Sequence, residues 1–287
     1  MSEFVWEKGE KGACLVKYLG EASRVEVPAL QEGLAVTELG PYAFHGHREV
    51  EEVSLPETVE KLGAHCFYDC RNLRRLCCAD GIAESGDGCF KNCMALSSVE
   101  VKLLRHRFGF LKNLLEECSQ KVSVDLTEQG ALAARLLFPR FLQDYEENTA
   151  ARIINQVTYG AGVHYRSCVG ENGIDFVSYD GRFSLLTHLE EEAVCGETAL
   201  GRLAAPAHLS EGAREMYLTF LHENLRELAD AFVREERYDL TEALAELATE
   251  SEREVILHAA QEAGALAVVS VLLQRHAARQ EEDEFDL

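Results

Sequence analysis

Residues Val36 to Val101 write one phrase three times. The copies open at Val36 (V-T-E-L-G-P-Y-A-F-H-G-H), Val59 (V-E-K-L-G-A-H-C-F-Y-D-C) and Ile82 (I-A-E-S-G-D-G-C-F-K-N-C). The step of 23 residues is held by Gly40/Gly63/Gly86 and by Phe44/Phe67/Phe90. Self-similarity at this period without insertions predicts a solenoid, because one such unit can bury its apolar face only against the next. The phenylalanines should then stack in one internal column, and each glycine should sit where the chain turns.

Each copy continues into an L-x-x-L-x-L phrase: Val50, Val53, Leu55; Leu73, Leu76, Cys78; Leu96, Val99, Val101. Steps of three and then two turn these side chains inward on a short parallel strand. Upstream, Cys14–Leu19 and Arg24–Pro28 are β-like runs around Gly20-Glu21-Ala22-Ser23, a hairpin signal that would cover the first repeat.

The phrase resembles the BspA-type leucine-rich repeat, written close to V-x-x-I-G-x-x-A-F-x-x-C-x-x-L-x-x-I-x-L-P, over about residues 14–101. The resemblance implies a binding surface formed by the residues between the inward ones, facing the concave side. These are Glu52 and Ser54, Arg75 and Cys77, Ser98 and Glu100, expected to contact a protein partner. The alternative is that the short stack only docks the following domain.

Cys66-x3-Cys70 and Cys89-x3-Cys93, with His45, His47 and His65 nearby, invite a zinc or redox reading. The repeat accounts for them more simply. Cys66 and Cys89 take the small position of Ala43, and Cys70 and Cys93 fill the family's cysteine column, which starts at His47. Free cysteine is an ordinary small buried residue, so no metal and no cofactor is expected.

After Val101 the phrase stops. Leu103, Leu104, Phe108, Leu111, Leu114 and Leu115 recur at helical spacing, Asp125 or Thr127 could cap a second helix running through Ala131–Leu142 and broken at Pro139, and a third is expected over Asn148–Val157. Tyr159–Gly173 reads as loop and turn, and its lone Gly160-x-Gly162 is no dinucleotide fingerprint. Phe176, Tyr179 and Phe183 read as an anchoring aromatic stripe, with Asp180-Gly181 as a possible turn. Leu218, Leu221, Leu225, Leu228 and Phe232 form the seam of an amphipathic helix starting at Ser210, followed by helices over Thr241–Thr249, Glu252–Ala263 and Ala265–Ala278. The last two resemble an ankyrin helix pair or a generic helical repeat. Gln280–Leu287 is an acidic tail, read as solvated.

The expected architecture is a leucine-rich-repeat domain with its capping hairpin (residues 1–101), an all-α, repeat-like domain (102–278) and an acidic disordered tail (279–287). The net charge of -22 is spread over both parts, 10 Lys+Arg against 17 Asp+Glu to residue 100 and 18 against 33 beyond. Such a surface repels phosphate backbones and anionic lipid, so neither nucleic acid nor membrane is an expected partner. No basic and apolar leader opens the sequence and ten cysteines suit a reducing compartment, so a cytoplasmic location is expected. The expected function is non-catalytic protein–protein interaction or scaffolding, with partner and oligomeric state open. The alternatives are an enzyme with a site near 159–180, drawing on His164, Cys168 and Asp175, or a cysteine-based redox or metal sensor.

Overall fold

The computed structural model describes residues 3–148 and 153–274. The chain divides into two units, Met1–Arg182 with Ala205–His208, and Phe183–Ala204 with Leu209–Leu287.

The first unit is the predicted coil, of about five turns. Its main sheet is built from β3 (Arg24–Glu26), β6 (Glu52–Ser54), β8 (Arg75–Ala79), β10 (Ser98–Lys102) and β11 (Val122–Glu128), all parallel, with β12 (Ala131–Phe138) closing one edge antiparallel. The opposite wall is a second sheet of β2 (Ala13–Tyr18), β5 (Leu34–Leu39), β7 (Lys61–Leu62) and β9 (Glu84–Ser85). It is capped by β1 (Phe4–Lys8), and the short β4 (Leu30–Gln31) pairs with β5. Every predicted inward strand residue is buried, and Phe44, Phe67 and Phe90 form one stacked column with ring centroids 5.0 and 5.2 Å apart. That spacing is close to the distance between neighbouring strands, as stacking rung on rung requires.

The column is longer than the three copies. Tyr18 stacks on Phe44 at one end (5.2 Å) and Phe110 meets Phe90 edge-on at the other (6.0 Å). Tyr18 belongs to a degenerate rung with β3, and Phe110 to one with β11. The predicted hairpin of Cys14–Leu19 with Arg24–Pro28 is therefore corrected. Those runs lie in different sheets as two sides of one turn of the coil, and the cover is the antiparallel β1–β2 pair.

The repeated glycine is needed for close approach, not for a turn. A Cβ on Gly63 would lie 2.3 Å from Pro41 N, and one on Gly86 2.3 Å from Ala64 N, so the backbone of the preceding rung fills that space. The left-handed residues fall elsewhere in the period: Tyr42, His65 and Gly88 in one row, Gly46, Asp69 and Asn92 in another.

The expected helices over 125–142 and 148–157 are overturned. Ala131–Phe138 is rich in helix formers, but Val122, Val124 and Leu126 are buried with a period of two and pair across to Phe138, Leu136 and Ala134. The turn between them has both central residues left-handed (Gln129 φ 52, Gly130 φ 83), the geometry that matches strand twist in a two-residue hairpin. Leu142–Asn148 and Ile153–Tyr159 form a second hairpin, β13 and β14; Ile, Val, Thr and Tyr in β14 favour a strand. Of the early helix, α1 (Gly109–Glu117) forms, burying Phe110, Leu111, Leu114 and Leu115.

Tyr159–Gly173 is helical in part: α2 (Ala161–Arg166) follows Gly160, and a Cβ on Gly162 would strike Pro139 O at 2.2 Å. Arg166 then fixes this region. Its guanidinium donates to the carbonyls of Leu115, Cys118, Gln120, Pro139 and Gly162 and lies 4.7 Å from the Phe141 ring centroid. Burial lowers its pKa to about 10, which leaves it cationic at neutral pH. Five carbonyl dipoles stand in for a carboxylate, two of them, from Leu115 and Cys118, at the negative end of α1. After α2 comes α3 (Phe176–Gly181), capped by Asp175 and anchored by Tyr179, whose buried hydroxyl donates to Leu137 O.

The second unit is helical: α4 (Phe183–Leu189), α5 (Glu192–Ala204), α6 (Glu211–Glu223), α7 (Leu225–Arg234), α8 (Tyr238–Leu247), α9 (Glu250–Glu262) and a helical run over 266–274. The single seam expected from Leu218 to Phe232 is two helices, because the chain breaks at Asn224. Ser210 caps α6 as predicted, accepting from Ala213 N–H. In α7, Leu225, Leu228, Ala229, Phe232 and Val233 are buried at the spacing of one helical face. Phe183 packs on Tyr217 and Phe220 with centroids 4.7 and 5.2 Å away. No described helix is long and apolar enough to cross a membrane. The expected acidic tail and the end of the last helix lie outside the described residues.

Candidate functional site

The outer face of the main sheet is decided by strand parity. Val53, Leu76, Val99 and Val124 point inward and are buried, so the residues beside them point out. The six predicted residues all lie there, in two adjacent rows. Glu52, Arg75 and Ser98 are register partners across β6, β8 and β10, as are Ser54, Cys77 and Glu100. Small side chains occupy Ser54, Cys77 and Ser98, and charged ones alternate around them.

The charges form a chain across the rungs. Arg24 Nε lies 3.5 Å from Glu52, Arg75 Nε 3.6 Å from Glu52, and Arg75 Nη2 2.7 Å from Glu100. Arg75 Nε also donates to Cys77 Sγ at 3.3 Å. Beyond Glu100, Asp125 of β11 takes two bonds from Arg135 of β12, at 2.8 and 2.7 Å. Arg24, Glu26, Asp125 and Arg135 therefore belong to the same face; they lie on β3, β11 and the edge strand β12, outside the thrice-written phrase from which the six residues are read. The signal is present: R-V-E-V-P before the repeats matches E-V-S-L-P inside them, and S-V-D-L after them matches S-V-E-V inside them.

The cysteine column has a structural role. Cys70 and Cys93 thiols donate to Phe44 O and Phe67 O at 2.9 and 3.0 Å, one rung back. His47, at the head of the column, faces Tyr18 O through Nε2 at 3.0 Å. The three residues do one job, joining each turn to the aromatic residue of the previous one. Burial pushes the Cys70 thiol up to about 12 and raises Cys66 and Cys93 as well. After the third copy the phrase is not repeated, and α1 and the segment that follows it supply substitutes: Glu117 accepts from Phe90 N–H at 2.7 Å, and the Gln120 amide donates to Cys93 O and Leu96 O. Among the described residues no group of three or more His, Cys, Asp or Glu is placed to hold a metal.

The candidate nucleophile set near 159–180 is not brought together by hydrogen bonds. Cys168 Sγ faces the backbone oxygen of His164 at 3.5 Å, not its ring, and its pKa is raised by burial. Asp175 is engaged in capping α3 through Ser178.

Residues 34–130 match the BspA type Leucine rich repeat region, in six copies. No curated protein matches the chain. Among solved structures, a leucine-rich repeat protein of T. pallidum is 27% identical, covering 38% of this chain and 53% of its own, with a TM-score of 0.33. One from Bacteroides capillosus is 21% identical over 37% of this chain and 86% of its own, TM-score 0.32. A leucine rich cell surface protein of Faecalibacterium prausnitzii is 21% identical over 47% and 43%, TM-score 0.31. The chain thus spans about half the length of the T. pallidum protein. The sequence of the first unit's repeating coil matches the BspA type of leucine-rich repeat over residues 34–130.

Proposed function

We propose that the protein is a non-catalytic interaction module that binds another protein through the outer face of its main sheet, with Glu52, Ser54, Arg75, Cys77, Ser98 and Glu100 at the centre of contact. The reading rests on one observation: alternating charges and small side chains held in register on a backbone fixed by ladder bonds on both sides. Exposed ion pairs of this kind are worth only about 0.2–1 kcal/mol each to the fold, so exchanging them for pairs with a partner costs little. They set orientation and partner choice more than affinity. The thiols of Cys70 and Cys93 donate hydrogen bonds that disulfide formation would remove, which supports work in a reducing compartment.

The test is affinity isolation with the parent and with a Glu52→Lys/Arg75→Glu/Glu100→Lys variant that keeps the alternation but inverts it. Proteins recovered with the parent should be lost from the variant while the circular dichroism of the two stays the same. Recovery of the same set by both would refute the assignment of this face.

A further inference from the structure

Where the last parallel rung ends, the first unit holds a cavity of about 470 Å³, within the usual size range of ligand pockets. Leu103, Phe108 and Leu126 line it and are buried. Glu128 lines it too, continuing the alternation of Val122, Val124 and Leu126 along β11 to the half-exposed end of the strand, where its side chain is 42% exposed. Two rungs back the equivalent position is Asp80, a buried carboxylate that accepts from the backbone of Leu104, Arg105 and Arg107. Glu128 has no such shell. Among the described residues its one contact with a basic side chain is His106 Nε2 at 3.3 Å, which leaves acceptor capacity on its carboxylate oxygens.

The other side of the cavity carries complementary features. Asp175 lines it, and its hydrogen bonds with Ser178 hold its carboxyl below the ordinary range, so it is charged at neutral pH. Phe176 and His208 line it with their rings 5.4 Å apart, and the Asn172 amide there has no partner among the described residues. His106 and His208 both hold left-handed backbone (φ 54 and 50), and such residues concentrate where a site is shaped. Val177 at the mouth is 80% exposed.

Two carboxylates, an aromatic face and apolar walls together suit one side chain. We propose that this cavity receives an arginine presented by the protein partner of the interaction reading above, its aliphatic stem on Leu103 and Leu126 and its guanidinium at Glu128 and Phe176. A guanidinium can pair with a carboxylate through two bonds and stack on a ring at once, which an ammonium cannot. The chain's charge of -22 draws a basic segment toward it.

The test needs no partner. Methyl NMR spectra of the full-length protein are followed while N-acetyl-arginine amide is added to tens of millimolar, then in parallel with the uncharged, isosteric citrulline amide and with the lysine amide. The arginine probe should shift the methyls of Leu103, Leu126 and Val177 saturably, with lysine and citrulline each about tenfold weaker, the step that 1.4 kcal/mol represents. Glu128→Gln, nearly isosteric, should reduce arginine binding about tenfold and leave citrulline binding unchanged. Equal binding of arginine and citrulline, no shift of those methyls, or full arginine binding by E128Q would each overturn the proposal. Because the sheet-face variant is read by partner recovery and this cavity by a free amide, either assignment can fail without the other.

Discussion

The repeat coil and the helical unit solve the same problem with different geometry. In the coil, a side chain's surroundings are fixed by its place in a 23-residue period, and the neighbour it meets is usually the backbone of the next rung. In the helical unit, a face such as that of α7 meets side chains of other helices, which can rotate. The coil is therefore strict about individual residues and the helical unit tolerant, even though both bury ordinary apolar residues. The region from α1 to α3 stands between these cases, since its strands and helices are tied by single polar residues such as Arg166.

The largest effect should come from that tie. Arg166→Met keeps the bulk but leaves the carbonyls of Leu115, Cys118, Gln120, Pro139 and Gly162 without a donor. A loss of about 3–5 kcal/mol is expected from removing one side of a buried charged network. Urea unfolding followed by the fluorescence of Trp6, the chain's only tryptophan, measures it. A variant within about 1 kcal/mol of the parent would show that water or rearrangement replaces the guanidinium.

Next comes a pair that tests the contrast directly. Gly63→Ala places a methyl 2.3 Å from backbone in the preceding rung, whereas Gly196→Ala in α5 places one 2.5 Å from Leu228 Cδ2 and 2.9 Å from Phe232, both side chains. The first should cost about 3 kcal/mol, at the upper end for overpacking. In the second, rotation of Leu228 and the gain of about 0.8–1 kcal/mol in helix propensity offset the contact, leaving about 1 kcal/mol or less. Equal costs, from Trp6 fluorescence for the coil and far-ultraviolet circular dichroism for the helices, would remove the distinction.

The last contrast is a pH dependence, small just above pH 9 and growing with every further rise. Burial pushes Cys70 and Cys118 in the coil, and Cys195 in the helical unit, up to about 12 against an ordinary 9.0. The unfolded chain then loses these protons first, so stability is full below about pH 9 and falls as the pH rises toward 12. Cys66, Cys78 and Cys93 are raised as well, so the coil should lose more than the helical unit. An alkaline titration in which the two spectroscopic signals decline in parallel would contradict this.

These contrasts also explain what could be read beforehand. The sequence puts Phe44, Phe67 and Phe90 in one column because the period is written three times, and parity alone turns the six outward residues out. Arg24 and Asp125 are harder to read, because their rungs break the step: Val25 lies 28 residues before Val53, and Val124 lies 25 after Val99; Arg135 stands on the antiparallel β12, outside the period altogether. Ala131–Phe138 misled because local propensity favours a helix where a sheet edge needed covering. In the helical unit, the cap at Ser210 was visible as a single residue type at a helix start, while the break at Asn224 was hidden inside a regular apolar seam. The cavity at Glu128 could not be foreseen, since its walls come from segments far apart in the chain.

The coil ends in stops that cannot themselves be repeated. At one end β1 runs against β2, and at the other β12 runs against β11 while Glu117 and Gln120 replace a missing turn. Any lengthening of this protein by duplication must therefore occur between Val36 and Val101, in whole units, with both terminators carried along unchanged. A descendant with an extra 23 residues there would gain a rung and a wider outer face, and nothing else in the molecule would need to be rewritten.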